Sequence, residues 1–533
     1  MAAKTVSVPG GTPETIDEVK SGYSFDGPAL EIGALVIDGT THPDAPVRIP
    51  ISMLNRHGLI AGATGTGKTK TLQLLAEQCS ANGIPVFAAD IKGDLSGLAM
   101  PGLPSDRVTT RMADIGGAPW TPIGCPSDFY ALGGEGVGVP LRATITSFGP
   151  ILLSKVLGLN AVQESSLGLV FHFADKHGLA LLDLKDLRAV IGHLTSSDGK
   201  SELAELGGLS AATAGVILRQ LILFSDQGAD AFFGEPEFDT ADLLRTTADG
   251  RGVVSMLELP NLQDRPALFS TFLMWTLADL FATLPEVGDV DKPRLVFFFD
   301  EAHLLFRDAS KAFLDSIAQT VRLIRSKGVG VFFVTQTPKD VPDDVLAQLG
   351  SRVQHQLRAH TPNDAKALKQ TVATFPTSGY DLAETLTILP TGEAIVTVMD
   401  PDGAPTPVAW TKVRAPRSLM APTDATLMAG AVAASPLQVK YGQSIDRESA
   451  YELLSAKIAA ATAPVPSPPS TPAEEGHVPG PAPQSRSSGR PRSEGSDKSA
   501  IEELVGSSMA RQLARTAGRE IIRGLFGAAK RRR

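Results

Sequence analysis

The residues with the clearest chemical purpose lie in the run GATGTGKT, from Gly62 to Thr69. Two glycines five positions apart, followed at once by lysine and a hydroxyl residue, make the pattern G-x-x-x-x-G-K-[ST]. Such a loop turns its backbone N–H groups inward around a phosphate chain at the start of a helix. Gly62, Gly65 and Gly67 permit backbone conformations that side-chain-bearing residues avoid, while Ala63, Thr64 and Thr66 complete the wrap. Lys68 is placed to reach the β- and γ-phosphates, and the Thr69 hydroxyl to ligate Mg²⁺. The expected ligands are therefore ATP and Mg²⁺.

A second constellation is LVFFFDEAH, an apolar strand that delivers Asp300 and Glu301 at its carboxyl end. Asp300 is expected to hold Mg²⁺ through water, and Glu301 to act as general base on the attacking water. A base favours hydrolysis over simple nucleotide sensing. A third strand, VGVFFVTQ, ends on Thr335 and Gln336; the Gln336 amide suits the γ-phosphate or the water, unless it is an ordinary strand-end amide. Upstream, Arg322 and Arg325 sit three apart on one helical face. Supplied by a neighbouring subunit, such a guanidinium neutralises transition-state charge, although a solvated basic helix end has the same composition. In ADIKGDLSG, Asp90, with Lys92 and Asp94 nearby, either orients water or Mg²⁺ or caps a turn.

These groups need a scaffold that brings strand ends together. From Ile51 the pattern runs strand, glycine turn, helix, strand, which is a βαβ unit. Apolar runs at 253–257, 295–299, 329–335 and 393–399 read as further buried strands separated by helical patterns. The expected fold is α/β with a mostly parallel central sheet. A short β segment over 1–45 precedes an ATPase core over 46–415, which carries a mainly helical insertion over 140–250. A helical extension over 416–462, a Pro/Ser-rich disordered linker over 463–496 and a basic amphipathic helix over 497–533 complete the chain.

Composition excludes several classes. The net charge is −9, yet residues 485–533 hold twelve Lys or Arg against five Asp or Glu. An acidic body does not coat nucleic acid, although a ring can still have a locally basic channel. Two cysteines, Cys79 and Cys125, are too few for a disulfide framework, and nine histidines show no ligand spacing, so no metal beyond Mg²⁺ is expected. Without an apolar run long enough to span a membrane, or a signal-peptide pattern, a cytoplasmic location is expected. Arg511, Arg515, Arg519 and Arg523 would stack as one stripe on the last helix, suited to self-docking, an acidic partner, nucleic acid or anionic lipid.

Across 48–451 the chain resembles the HerA/FtsK superfamily of P-loop ATPases, and within it the YjgR-type HerA-like branch. The motifs are RHGLIAGATGTGKTKTLQ, ADIKGDLSG, FFGEPEFD, FFFDEAHLLF, LIRSKGVGVFFVTQTPKDVP and DRESAYE. The resemblance implies a RecA-like P-loop core, a homo-oligomer in the form of a hexameric ring, and ATP-driven movement on double-stranded DNA. It assigns Lys68 and Thr69 to the phosphate loop, Asp300 and Glu301 to the Walker B pair, Asp90 to the acidic position after the second strand, Gln336 to the sensor and Arg325 to the arginine finger. HerA proper carries a full N-terminal β-barrel; with the phosphate loop already opening at Gly62, that barrel is expected to be absent or reduced here. Two alternatives stay open: an ATPase that remodels protein assemblies, and a non-hydrolysing nucleotide-gated scaffold.

Overall fold

The computed structural model describes residues 15–462, apart from 133–135, 204–206, 260–265, 289, 308 and 310. The expected linker over 463–496 and basic helix over 497–533 lie outside the described residues. The chain divides into units Met1–Tyr451 and Glu452–Arg533, and every site residue below belongs to the first.

Twelve described strands are β1 (Ala29–Ile37), β2 (Thr40–Pro50), β3 (Gly58–Ala61), β4 (Val86–Asp90), β5 (Ser127–Leu132), β6 (Val139–Leu141), β7 (Val254–Glu258), β8 (Leu295–Phe299), β9 (Val329–Thr335), β10 (Ser351–Gln354), β11 (Glu393–Thr397) and β12 (Ala409–Val413). They form one sheet in the order β2-β1-β12-β11-β10-β3-β9-β8-β4-β7-β5-β6. From β10 to β6 all neighbours run parallel. The α/β class with a mostly parallel sheet is therefore as expected.

The parallel strands are buried on both faces, which is why they read as continuous apolar runs rather than alternating ones. All five residues of β8 and all seven of β9 are buried. Phe87 of β4 packs its ring 5.1 Å from that of Phe297 of β8 on one face, while Phe298 and Phe332 of β9 meet at 5.3 Å on the other. Burying each of these side chains is worth roughly 1.5–3 kcal/mol.

Two strand expectations need correction. The run at 393–399 forms β11, which pairs antiparallel with β10 and β12, because an apolar run encodes burial but not direction. The N-terminal strands are not a lead-in outside the core: β1 pairs with β12 and extends the same sheet. At that pairing a Cβ on Gly33 would lie 2.0 Å from the Lys412 carbonyl oxygen, so the absence of a side chain permits the approach. The outer strand β2 carries Pro43 and Pro46 and two register shifts, features that blunt an open sheet edge.

Between β6 and β7 the chain is helical, with Ala161–Lys176, Leu184–Thr195 and Ala211–Asp226 as the longest elements. Each begins on a residue able to cap free amides: Asn160, Asp183 and Ser210 all accept from backbone N–H groups of the first turn. The motif DRESAYE ties this region to the end of the core. Arg447 donates to both carboxylate oxygens of Glu235 at 2.6 and 2.9 Å, and Asp186 accepts from Ser449 Oγ at 2.5 Å and Tyr451 N at 2.9 Å.

Candidate functional site

The phosphate loop leaves β3 at Ala61 and enters the helix Lys68–Ala81. Gly65 and Gly67 have φ of +82° and +119°, values that glycine adopts without steric cost. A Cβ on Gly62 would fall 2.5 Å from His355 Cβ, so the loop lies directly against the next strand exit. No side chain caps the helix start, which leaves first-turn amides for an anion.

The loop is held by its neighbours. Gly62 N donates to Thr335 O at 3.2 Å and Ala63 N to Gln356 O at 2.8 Å, while Gly392 N donates to Thr66 O at 2.9 Å. At the loop's exposed tip the Arg358 guanidinium donates to Thr64 O at 3.2 Å. Beneath it, His355 Nδ1 donates to Glu393 O at 2.9 Å, which makes Nε2 the acceptor for Thr71 Oγ1 at 2.8 Å. Burial lowers the His355 pKa to about 4, against a weaker upward effect of the Glu393 bond, so the ring is a neutral brace near pH 7. Lys68 is buried and donates to Ala63 O at 3.2 Å. Burial lowers its pKa, opposed first by the Glu301 carboxylate.

Asp300 and Glu301 follow β8 at the same sheet edge, and both are buried. Burial pushes the Asp300 pKa up to about 7, and Lys92 only partly offsets this. Its Oδ1 accepts from Glu301 N at 2.9 Å, whereas Oδ2 has no hydrogen-bond partner. A buried carboxylate oxygen without a donor is suited to a cation or its bound water, and the Thr69 hydroxyl stands at the start of the facing helix. No group of three or more His, Cys, Asp or Glu among the described residues could hold a metal by itself. A Mg²⁺ ion would thus share Asp300 and Thr69 with phosphate oxygens, as such ions usually do.

Glu301 has a φ of +47°, uncommon for a residue with a side chain. Its Oε1 accepts from Lys92 Nζ, and His303 Nδ1 lies 3.1 Å from Oε2, close enough for charge contact though not aligned as a hydrogen bond. Burial opposes ionisation, but His303 and Lys92 outweigh it and hold the Glu301 pKa down to about 2.

Asp90, at the end of β4, takes the turn-capping role. Oδ1 accepts from Gly93 N at 2.7 Å and Asp94 N at 3.2 Å, and Oδ2 from Leu95 N at 2.7 Å. Those bonds commit the carboxylate to shaping the loop that carries Lys92. Gln336 is exposed just past β9, whose Thr335 pairs with Ala61 immediately before the phosphate loop. Thr335 Oγ1 and Thr337 N both donate to Asp340 Oδ2, at 2.8 and 2.9 Å, which fixes the segment bearing Gln336.

Arg322 and Arg325 lie elsewhere. They precede β9, at the amino edge of the sheet, about 23 Å from its carboxyl edge given the rise of a seven-residue strand. There they line a cavity of about 620 Å³ with Arg56, Arg352, His57 and Phe375. His57 Nδ1 accepts from Val331 N at 3.1 Å and Nε2 donates to Val321 O at 2.7 Å, joining this helix end to β9. Sequence reasoning did not single out Arg56, Arg352, His355 or His303 for roles; Arg56, which opens RHGLIAGATGTGKTKTLQ, and His303, inside FFFDEAHLLF, lay within recognised motifs.

A family model described as "Helicase HerA-like C-terminal" matches residues 36–533. The chain is 23% identical over 383 residues to the DNA double-strand break repair helicase HerA of Saccharolobus solfataricus, covering 71% of this chain and 68% of that one. It is 23% identical over 394 residues to the protein of the same name from Sulfurisphaera tokodaii, covering 72% and 70%. Among solved structures, the plasmid coupling protein TrwB in complex with a non-hydrolysable ATP analogue superposes with a TM-score of 0.50 at 15% identity, covering 80% of this chain and 98% of that one. At that identity the likeness concerns the fold alone. With a family match that takes in nearly the whole chain, the protein belongs to the helicase HerA-like C-terminal family.

Proposed function

We propose that the chain binds MgATP at Gly62–Thr69, hydrolyses it, and works as a ring, a hexamer, that moves double-stranded DNA. The single observation that carries this reading is the division of the site between two sheet edges. Phosphate loop, acids and sensor occupy the carboxyl edge, whereas Arg322 and Arg325 occupy the amino edge. In a chain arranged in this way, Arg322 and Arg325 reach a nucleotide at the carboxyl edge only from another copy that presents its amino edge.

In the reaction, Lys68 and the loop amides hold the phosphate chain. Glu301 accepts a proton from water as the water oxygen bonds to the γ-phosphorus and the bond from phosphorus to the bridging oxygen breaks. The Gln336 amide orients that water, and Arg325 of an adjacent copy balances the growing charge. Thr69 and, through water, Asp300 would hold Mg²⁺, which would supply charge neutralisation on the phosphates. Asp90 acts indirectly, through its loop. DNA as the moved substrate is supported by the helicase names of the two relatives. No helix among the described residues is long and apolar enough to cross a membrane, in keeping with a cytoplasmic location. We assign the basic segment 497–533 to an acidic partner or anionic surface.

ATP turnover measured with duplex, single-stranded and no DNA over a series of salt concentrations, beside mass determination with and without nucleotide, tests this reading. Duplex DNA is expected to accelerate turnover, less so as salt rises, and nucleotide to favour a six-copy mass. Equal rates with and without DNA would remove the DNA part of the proposal. Undiminished turnover by Lys68→Ala would remove all of it.

A further inference from the structure

The cavity at the amino edge of the sheet carries charge of one sign. Arg56, Arg322, Arg325 and Arg352 line a space of about 620 Å³, and among the described residues no Asp or Glu lines it. His57, also in the lining, does not alter that sum. Both its ring nitrogens are engaged by backbone groups, and burial, helped by the nearby Arg325, lowers its pKa to about 4. A concave site lined by one sign of charge concentrates ions of the other sign within it.

The sheet itself gathers these arginines. β10, β3 and β9 are consecutive and parallel, so their amino ends lie side by side, about 5 Å from one strand to the next. Arg352 is the second residue of β10, Arg56 lies shortly before β3, and Arg325 shortly before β9. Gly350 N donates to Arg56 O at 2.9 Å, which ties the first two entries together. Arg352 is fixed further: its Nη1 donates to Thr374 O at 3.0 Å and to Thr374 Oγ1, and its guanidinium carbon stands 6.0 Å from the centre of the Phe375 ring. Nε and Nη2 keep their N–H groups for a ligand, and a guanidinium fork held in this way matches a pair of phosphate oxygens. Burial lowers the Arg352 pKa with no carboxylate to offset it.

We propose that this cavity is a second ligand site, separate from the phosphate loop, which takes a small polyphosphate from solution. A phosphate chain has two sources here, a free anion or the nucleotide in a neighbouring copy's loop. The free anion is favoured by shape: the volume of about 620 Å³ falls within the range of whole small-molecule sites, roughly 300–1,000 Å³. Several guanidinium groups also suit a chain of two or three phosphates better than a single charge. With the anion in place, Arg325 is drawn to it and is no longer offered to another copy, so turnover falls while the phosphate loop stays intact. That consequence rests on the reading of Arg325 in the proposed function; the site itself does not.

The test is titration calorimetry of inorganic tripolyphosphate into the full chain, its phosphate loop saturated with a non-hydrolysable ATP analogue and free Mg²⁺ held constant. One tripolyphosphate per chain is expected, bound about 10-fold more weakly by Arg352→Gln and by Arg322→Gln. Arg322 is exposed, so its substitution spares the fold even where that of Arg352 does not. In ATP turnover, tripolyphosphate lowers kcat and leaves KM unchanged, and Arg352→Gln loses this inhibition relative to its own uninhibited rate. No binding to the saturated chain overturns the proposal; if the nucleotide-free chain still binds in a manner dependent on Arg352, the neighbour's nucleotide is the occupant. Equal affinity in the unmodified chain and both variants would reduce the attraction to general surface charge and also overturn it. Binding at the expected strength with no effect on turnover upholds the site and sinks the role given to Arg325, so the two failures are distinct.

Discussion

The two edges of the parallel sheet carry opposite equipment. At the carboxyl edge, backbone amides and Lys68 face buried Asp300 and Glu301. At the amino edge, Arg56, Arg322, Arg325 and Arg352 gather around one cavity. Each edge is braced by a buried histidine, His355 under the phosphate loop and His57 under the arginines. Parallel strands make this sorting unavoidable, because all their ends of one kind lie together and residues before and after a strand are separated by its length. Groups close in sequence, such as Arg325 and Gln336 on either side of β9, are thereby sent to opposite edges of the sheet.

The strongest challenge to that contrast is Arg325→Ala. With the guanidinium serving a neighbour, turnover should fall by about 10³-fold while nucleotide binding is retained. Mixing Arg325→Ala with Lys68→Ala chains should recover part of the rate, since some interfaces then hold both intact groups; a mixture as inactive as its components would show that Arg325 does not act between copies. Glu301→Gln should lower turnover by about 10²- to 10³-fold with ATP affinity kept, measured by phosphate release and by equilibrium binding. Normal phosphate release would take the base away from this position.

Asp90→Asn is expected to act more gently. One oxygen of the carboxylate becomes an N–H₂ group facing backbone donors, and the loss is about 1–3 kcal/mol of stability. Denaturant unfolding measures it, and an unchanged midpoint would contradict the turn-capping role. The smallest effect concerns acid. His355 and His57 have folded pKa values of about 4, below the ordinary 6.5, because burial penalises the charged ring. A depressed value stabilises the fold fully above pH 6.5, and that contribution fades as pH falls toward 4. His355→Gln should therefore flatten the decline of the melting temperature between pH 6.5 and 4; an identical slope in both proteins would show that the ring does not stay neutral.

Much of the carboxyl edge was legible in the sequence because its signals are local. Gly62–Thr69 sits between a strand and a helix, and Asp300–Glu301 ends an apolar run, so spacing alone carries the chemistry. The sheet's parallel centre was readable for the same reason. The amino edge was not, since Arg56, Arg325 and Arg352 come from three separate segments that converge only through strand order. β10 escaped notice as four residues, SRVQ, with a charged second position. The antiparallel side was misjudged because direction depends on the path of the connecting chain rather than on apolar content. Asp90 was visible as an acid after a strand, but its commitment to three amides depends on a loop fold that composition does not reveal.

The contacts of Arg447, Ser449 and Tyr451 bear on how the molecule resists being pulled apart. They close the chain's path like a buckle: the helical region departs after β6 and returns before β7, and a segment almost two hundred residues later fastens it again through Glu235 and Asp186. Force applied to the helices therefore passes into the 447–451 segment as well as along the two chain connections to the sheet, so load is shared among distant parts of the polypeptide instead of loosening one hinge.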